Sequence, residues 1–264
     1  MPYKQFFQQA NKPEFWEQHW KNSKIDYDLP EDNIILSTVR THARKEGFIL
    51  EAGCGCAQFV NIIEKEGNKI IGLDFDQKTL LKVKERFPHM LLVCGDVKAL
   101  PFKQMSISTY LSLGVVEHFE EGPDKPLKEA HSILNENGVI ICSVPYYNFF
   151  RTIMWKFLPP EHNNNAQFYQ YFFRKNEFKK ILHHIGFKIA DTNYYDVRKT
   201  IVDLFPKYKK KAIEKIELSR PYQQKTQNNV LSLLIHTLRI LSRTRLIKAL
   251  TAHMILFVAK PKVE

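Results

Sequence analysis

The chain has 264 residues, 44% of them hydrophobic, and a formal charge of +11. That apolar content excludes an intrinsically disordered chain and suffices for one large or two small globular units, while the basic excess points to an anionic partner or a solvated basic face. The four cysteines, at 54, 56, 94 and 142, lack Cys-x-x-Cys spacing, so neither a zinc site nor a disulfide framework is expected; residues 1–14 are polar and aromatic rather than leader-like, so a cytoplasmic location is expected.

In chain order, helices are predicted over 13–22 and 31–45. Then Ile49-Leu50-Glu51-Ala52-Gly53-Cys54-Gly55-Cys56-Ala57 reads as an apolar strand, an acid and a tight glycine turn that opens a helix over 57–66. Glycines there let backbone approach a ligand, and the first helical amides offer it donors. A strand over 69–73 leads into Asp74, a helix over 77–86 follows with Asp76 as its cap, and a strand over 90–94 closes on Gly95-Asp96-Val97. A dinucleotide fingerprint would want a third glycine where Gln58 stands. Carboxylates Glu51, Asp74 and Asp96 at three successive strand ends suit instead a ligand rich in donors and positive charge, since they would repel a pyrophosphate.

These residues resemble the class I S-adenosylmethionine-dependent methyltransferases, from about residue 47 to 148 and more loosely beyond. Glu51-x-Gly53-x-Gly55 is similar to the family's first motif, Gly72-Leu73-Asp74 to its ribose motif, and Gly95-Asp96 with Leu100-Pro101-Phe102 to its adenine-side motif. Val116-Glu117-His118-Phe119, Leu127-x-Glu129-Ala130 and Leu134-Asn135-Glu136-Asn137-Gly138 with a strand over 139–144 resemble the small-molecule branch. The resemblance implies a Rossmann-like, doubly wound, seven-stranded α/β sheet with an antiparallel last strand, and S-adenosyl-L-methionine as cofactor. It places Glu51, with Gly53, Cys54 and Gly55, at the methionine end, Asp74 with Phe75 at the ribose, Asp96 and Val97 at the adenine, and Leu113 beside them. Two departures stand out: Ala57 replaces the usual third glycine, and Ser106-Ile107-Ser108-Thr109 replaces an aromatic-Asp pair.

Beyond the fifth strand, a helix over 176–184 stopped by Gly186 leads to strands over 187–195 and 253–259. The whole is expected to be one methyltransferase domain: N-terminal helices over 1–46, a cofactor core over 47–145, a lid insertion over 146–175, and a C-terminal part over 176–264 carrying a helical basic insertion over 197–252. In the lid, aromatics and amides interleave around Tyr146, Tyr147, Asn148, Arg151, Tyr169 and Tyr171, a composition suited to a flat or sugar-like acceptor. Phe168-Tyr169-Gln170-Tyr171 resembles, more loosely, a branch of bacterial methyltransferases of surface glycans and natural products; the expected acceptor is a small or carrier-linked molecule, with oxygen as the methylated atom.

His118 follows the fourth strand, where the resemblance presents residues to the transferring methyl, and its imidazole suits a general base; Glu117 either orients it or faces solvent. Ubiquinone-pathway O-methyltransferases, which Val116-Glu117-His118 resembles, carry a further glutamate where Gly114 stands, so no essential metal is expected. For the basic excess, Lys207, Lys209, Lys210, Lys211, Lys215, Arg239, Arg243, Arg245 and Lys248 suit an RNA-directed alternative. Against it, Ser112-Leu113-Gly114-Val115 lacks the Pro-Pro-aromatic signature of base-amine methylation. Leu231, Leu234, Ile235, Leu238 and Leu241 form a stripe suited to a membrane surface, to the domain itself or to a homodimer, and too interrupted by His236 and Arg239 to span a bilayer. A cofactor-binding pseudoenzyme or scaffold is the non-enzymatic alternative.

Overall fold

In a computed structural model the described residues are 3–7, 15–16, 20, 29, 33–157, 167–197, 199–200 and 244–262. The elements run β1 (Tyr3–Phe7), α1 (Ile34–His42), β2 (Phe48–Ala52), α2 (Gln58–Lys65), β3 (Ile70–Asp74), α3 (Gln77–Arg86), β4 (Leu91–Cys94), β5 (Ile107–Leu113), a 3₁₀ turn (Val116–His118) and α4 (Asp124–Ile133). They continue β6 (Leu134–Pro145), α5 (Phe149–Phe157), β7 (Gln167–Phe172), α6 (Lys175–Ile185), β8 (Phe187–Tyr195), α7 (Arg245–Thr251) and β9 (Met254–Pro261).

Seven strands form one sheet in the order β4-β3-β2-β5-β6-β9-β8, parallel from β4 through β6 and antiparallel at its end. The expected fold class is what the chain adopts. Central strands are buried on both faces, with Ile49, Leu50, Leu111, Ile140, Ile141 and residues 255–259 sealed from solvent, as helices on both sides of a parallel sheet require. Four helices supply matching stripes: Val60 and Ile63 on α2, Leu80 and Val83 on α3, Leu127 and Ala130 on α4, Phe178 and Leu182 on α6. Because the order reverses between β2 and β5, the C-terminal ends of these strands mark the usual ligand position in such sheets.

Local chemistry sets the boundaries. α1 starts at Ile34 rather than 31 because the Asn33 side chain accepts from the amides of Ile35 and Leu36, and α3 starts where Asp76 caps it, accepting from Lys78 N at 3.1 Å and from the Thr79 hydroxyl at 2.6 Å. α6 stops at Gly186 at φ +111°, where a Cβ would meet His131 at 2.9 Å. Two strands were not expected. β1 and β7 pair antiparallel in a separate two-stranded sheet, and β7 lies within the segment read as lid insertion. Its interleaved aromatics and amides give no clean alternation, and its partner comes from the far N-terminus, so short-range periodicity could not reveal it. Helix 13–22 falls largely outside the described residues, as do most of the basic insertion, Leu231 to Leu241 included, and its lysines 207–215; Arg245 and Lys248 sit on α7. No helix among the described residues is long and apolar enough to cross a membrane.

The contacts divide the chain into two compact units: Met1–Pro145 with His162–Asn193 and Ile255–Glu264, and Tyr146–Glu161 with Tyr194–Met254. In the second, Asn148 and Arg151 are fully buried. Asn148 Nδ2 donates to Ala252 O at 2.8 Å, and its Oδ1 accepts from Arg151 N at 2.6 Å. The Arg151 guanidinium donates to Tyr146 O and His253 Nδ1, at 2.8 and 3.0 Å, and lies 5.1 Å from the Trp155 ring centroid. Asn148→Ala removes these bonds and strands buried partners, so it should destabilise the protein by about 1–3 kcal/mol in urea denaturation. An unchanged midpoint would contradict this structural role.

Candidate active site

The end of β3 builds the glycine loop. Leu73 O accepts from Gly53 N at 2.7 Å and from Cys54 N at 2.9 Å, and Asp74 Oδ2 accepts from Gly55 N at 2.8 Å. Three consecutive amides are thus caught by two consecutive residues. Gly53 is obligatory twice over, by φ +78° and because a Cβ would come within 2.5 Å of Val115 on the loop after β5. At Gly55, φ +50°, a Cβ would strike the Trp20 ring at 2.5 Å. Ala57 holds φ 56° at the start of α2, so the missing third glycine leaves the left-handed turn in place, at a cost of about 1–2 kcal/mol.

Three carboxylates stand at the strand ends, and each meets a different environment. Glu51 is 3% exposed, and its Oε2 is buried with no hydrogen-bond partner among the described residues. Burial, reinforced by the neighbouring Asp74 charge and opposed by the Val60 amide, pushes its carboxyl up to about 8. Asp74 is also raised, by burial, against the amides of Asp76 and Gly55 that its oxygens accept. Those two bonds, at 3.0 and 2.8 Å, leave about two of a carboxylate's four lone-pair directions for a ligand. Asp96 is exposed, its Oδ1 accepting from Lys98 N at 2.8 Å, while Val97 is buried. Phe75 beside Asp74 is 49% exposed, an open aromatic face at the same edge, and Leu113 closes β5 half-buried. Cys54 and Cys56 are buried thiols pushed up by burial.

The buried Glu51 oxygen, without a hydrogen-bond partner among the described residues and beside a loop that lacks Cβ atoms at Gly53 and Gly55, fits a compact cation with N–H donors. That is the chemistry of an amino-acid ammonium, and Asp74 has room for hydroxyl donors.

Past β5, Gly114 at φ +76° turns the chain into the 3₁₀ turn, closed by His118 N donating to Val115 O at 3.1 Å. Glu117 does not face solvent: it is 2% exposed. The His118 Nδ1 lies 2.8 Å from Tyr169 O, so a backbone carbonyl orients the imidazole. Trp16 and Tyr169 pack against its ring at centroid distances of 4.8 and 4.9 Å, and Tyr171 donates to Glu120 O at 2.7 Å. Of the expected acceptor residues, Tyr169 thus joins His118 directly and Tyr171 fastens the same turn. Tyr146, Tyr147, Asn148 and Arg151 belong to the second unit, where Tyr146 stacks on Tyr194 and Tyr147 on Trp155. Asn148 and Arg151 are sealed in its interior, so their side chains hold backbone rather than line an open surface.

Two contributors escaped the sequence reading, and Glu129 entered it only as part of a motif. Trp16 and Trp20 lie in a segment without a motif, their four-residue spacing being the available hint. Glu129 on α4 accepts from Leu100 N at 3.0 Å and pins the adenine-side loop.

Over residues 50–142 the chain matches the family described as Methyltransferase domain. A probable S-adenosylmethionine-dependent methyltransferase of Mycolicibacterium smegmatis is 27% identical over 144 residues, 54% of this chain and 53% of that protein. Malonyl-[acyl-carrier protein] O-methyltransferase of Hamiltonella defensa is 26% identical over 99 residues, 38% of each protein. The chain spans about half or less of the length of these curated relatives. Among solved structures, Burkholderia thailandensis 1,6-didemethyltoxoflavin-N1-methyltransferase, with its acceptor and S-adenosylhomocysteine bound, superposes with a TM-score of 0.57 at 13% identity, over 95% of this chain and 84% of its own; at that identity the likeness speaks for the fold. Residues 50–142 thus carry a methyltransferase domain similar to those of S-adenosylmethionine-dependent methyltransferases, and S-adenosylmethionine is the cofactor its loop and carboxylates fit.

Glu51 gives the site a pH signature. The folded protein keeps on Glu51 a proton that the unfolded chain releases near the ordinary 4.5, so ligand-free stability falls as pH rises from there through about 8. Glu51→Gln should flatten that fall, raising the melting temperature at pH 8 relative to wild type while leaving it nearly unchanged at pH 4. Parallel melting profiles for the two proteins across this range would contradict the assignment.

Proposed function

We propose that the protein methylates a hydroxyl of a small or carrier-linked acceptor, with His118 as general base. The observation that carries this reading is the His118–Tyr169 bond. A carbonyl oxygen only accepts, so Nδ1 holds the proton and the neutral ring's basic lone pair sits on Nε2. When bound, S-adenosylmethionine supplies a methyl carbon already activated by its sulfonium. Little else is asked of the protein beyond alignment and exclusion of water. The glycine loop and Glu51 would hold the amino-acid end, Asp74 the ribose and Asp96 with Val97 the adenine, leaving His118 on the turn after β5 to face the acceptor. The malonyl-carrier O-methyltransferase among the relatives supports an oxygen acceptor on a carrier.

Two variants separate binding from chemistry. Asp74→Ala loses a charge-assisted bond of roughly 1.5–3 kcal/mol, so calorimetry with S-adenosylmethionine should show about tenfold to hundredfold weaker binding; unchanged affinity would contradict the ribose assignment. His118→Ala should leave that affinity near wild type while turnover of a hydroxyl acceptor drops by about 10²–10⁴ and the acid limb of the pH–rate profile disappears. Normal turnover at neutral pH would instead favour positioning alone and an amine or pre-ionised acceptor.

A further inference from the structure

The rings around His118 close on themselves. Trp16 meets His118 at 4.8 Å and 78°, His118 meets Tyr169 at 4.9 Å and 62°, Tyr169 meets Phe15 at 5.8 Å and 72°, and Phe15 meets Trp16 at 5.1 Å and 85°. Every contact has the edge-to-face geometry aromatic quadrupoles favour. An imidazole held between two rings cannot easily make the half-turn that exchanges Nδ1 for Cδ2, a turn that would forfeit its bond to Tyr169 O.

Backbone irregularity explains why that carbonyl is there. In the β1–β7 ladder Gln5 pairs with Gln170 and Phe6 with Phe168, so Tyr169 is the extra residue of a β-bulge. The extra residue of a bulge stands outside the ladder register and can be aimed elsewhere. Two residues on, the Tyr171 hydroxyl donates to Glu120 O at 2.7 Å, so β7 holds the chain both at His118 and two residues past it. Trp20, four residues past Trp16, lies against Gly55 of the cofactor loop, and the same N-terminal segment therefore touches both halves of the site.

We propose that Trp16 and the Tyr169 bulge form a positioning clamp that fixes His118 as the Nδ1-protonated tautomer with Nε2 as the basic atom. A neutral histidine side chain in water favours the opposite tautomer, so the clamp selects the form that the base needs. The proposal rests on the reading of His118 as the base.

Nitrogen-15 NMR of the full chain with ring-labelled histidine reads the tautomer directly, the His118 resonances being identified by their loss in His118→Ala. The expected result is a protonated Nδ1 and an unprotonated Nε2 in wild type at pH 8. Trp16→Ala should give averaged, mixed-tautomer shifts and a kcat lowered about tenfold to hundredfold, with S-adenosylmethionine affinity within about twofold of wild type; Trp16→Phe should restore both signals. Should Trp16→Ala fail to fold, Tyr171→Phe deletes one oxygen and should shift the same resonances and lower kcat. A protonated Nε2 in wild type, or a tautomer and kcat that neither variant moves, overturns the clamp. Retained turnover in His118→Ala would overturn the base reading alone, because the tautomer spectra do not depend on turnover.

Discussion

The capture of three successive loop amides by the end of β3 is the constraint on which the rest of the site depends. Leu73 O takes Gly53 N and Cys54 N, and the Asp74 carboxylate takes Gly55 N. Short donor–acceptor distances of 2.7–2.9 Å force the left-handed backbone that only glycine adopts cheaply, and the absence of Cβ atoms then lets Val115 and Trp20 close in from two other segments. A loop so braced exposes its ligand-facing surface without reorganisation, which lowers the cost of ordering on binding.

The same packing makes the site electrostatically costly when empty. Glu51 and Asp74 are buried carboxyls whose charged forms are disfavoured by loss of water, and Glu51 carries an oxygen with no bond among the described residues. A cationic ligand group would convert that cost into affinity. Stability withheld from the apo fold is thus available to binding, as functional sites commonly arrange.

Legibility from sequence followed the range of the interactions. The sheet strands, the Asp76 cap, the Gly186 stop and the three strand-end carboxylates are written in local patterns, since each depends on neighbours a few residues away. The β1–β7 pair, the bulge at Tyr169 and the stacking of Trp16 and Trp20 join residues more than a hundred positions apart or lie in segments without periodicity, and no local rule encodes them. Asn148 and Arg151 show the converse failure: their polarity within an aromatic stretch reads as acceptor-binding, whereas both are consumed by buried backbone bonds inside the second unit.

The central claim is that these buried carboxylates receive the positive end of S-adenosylmethionine. Titration calorimetry of the wild-type chain at pH 7, in two buffers of different ionisation enthalpy, tests it most directly. The account predicts one-site binding whose heat differs between the buffers, because Glu51 gives up its proton as the ammonium arrives. No binding, or identical heats in both buffers, would contradict it.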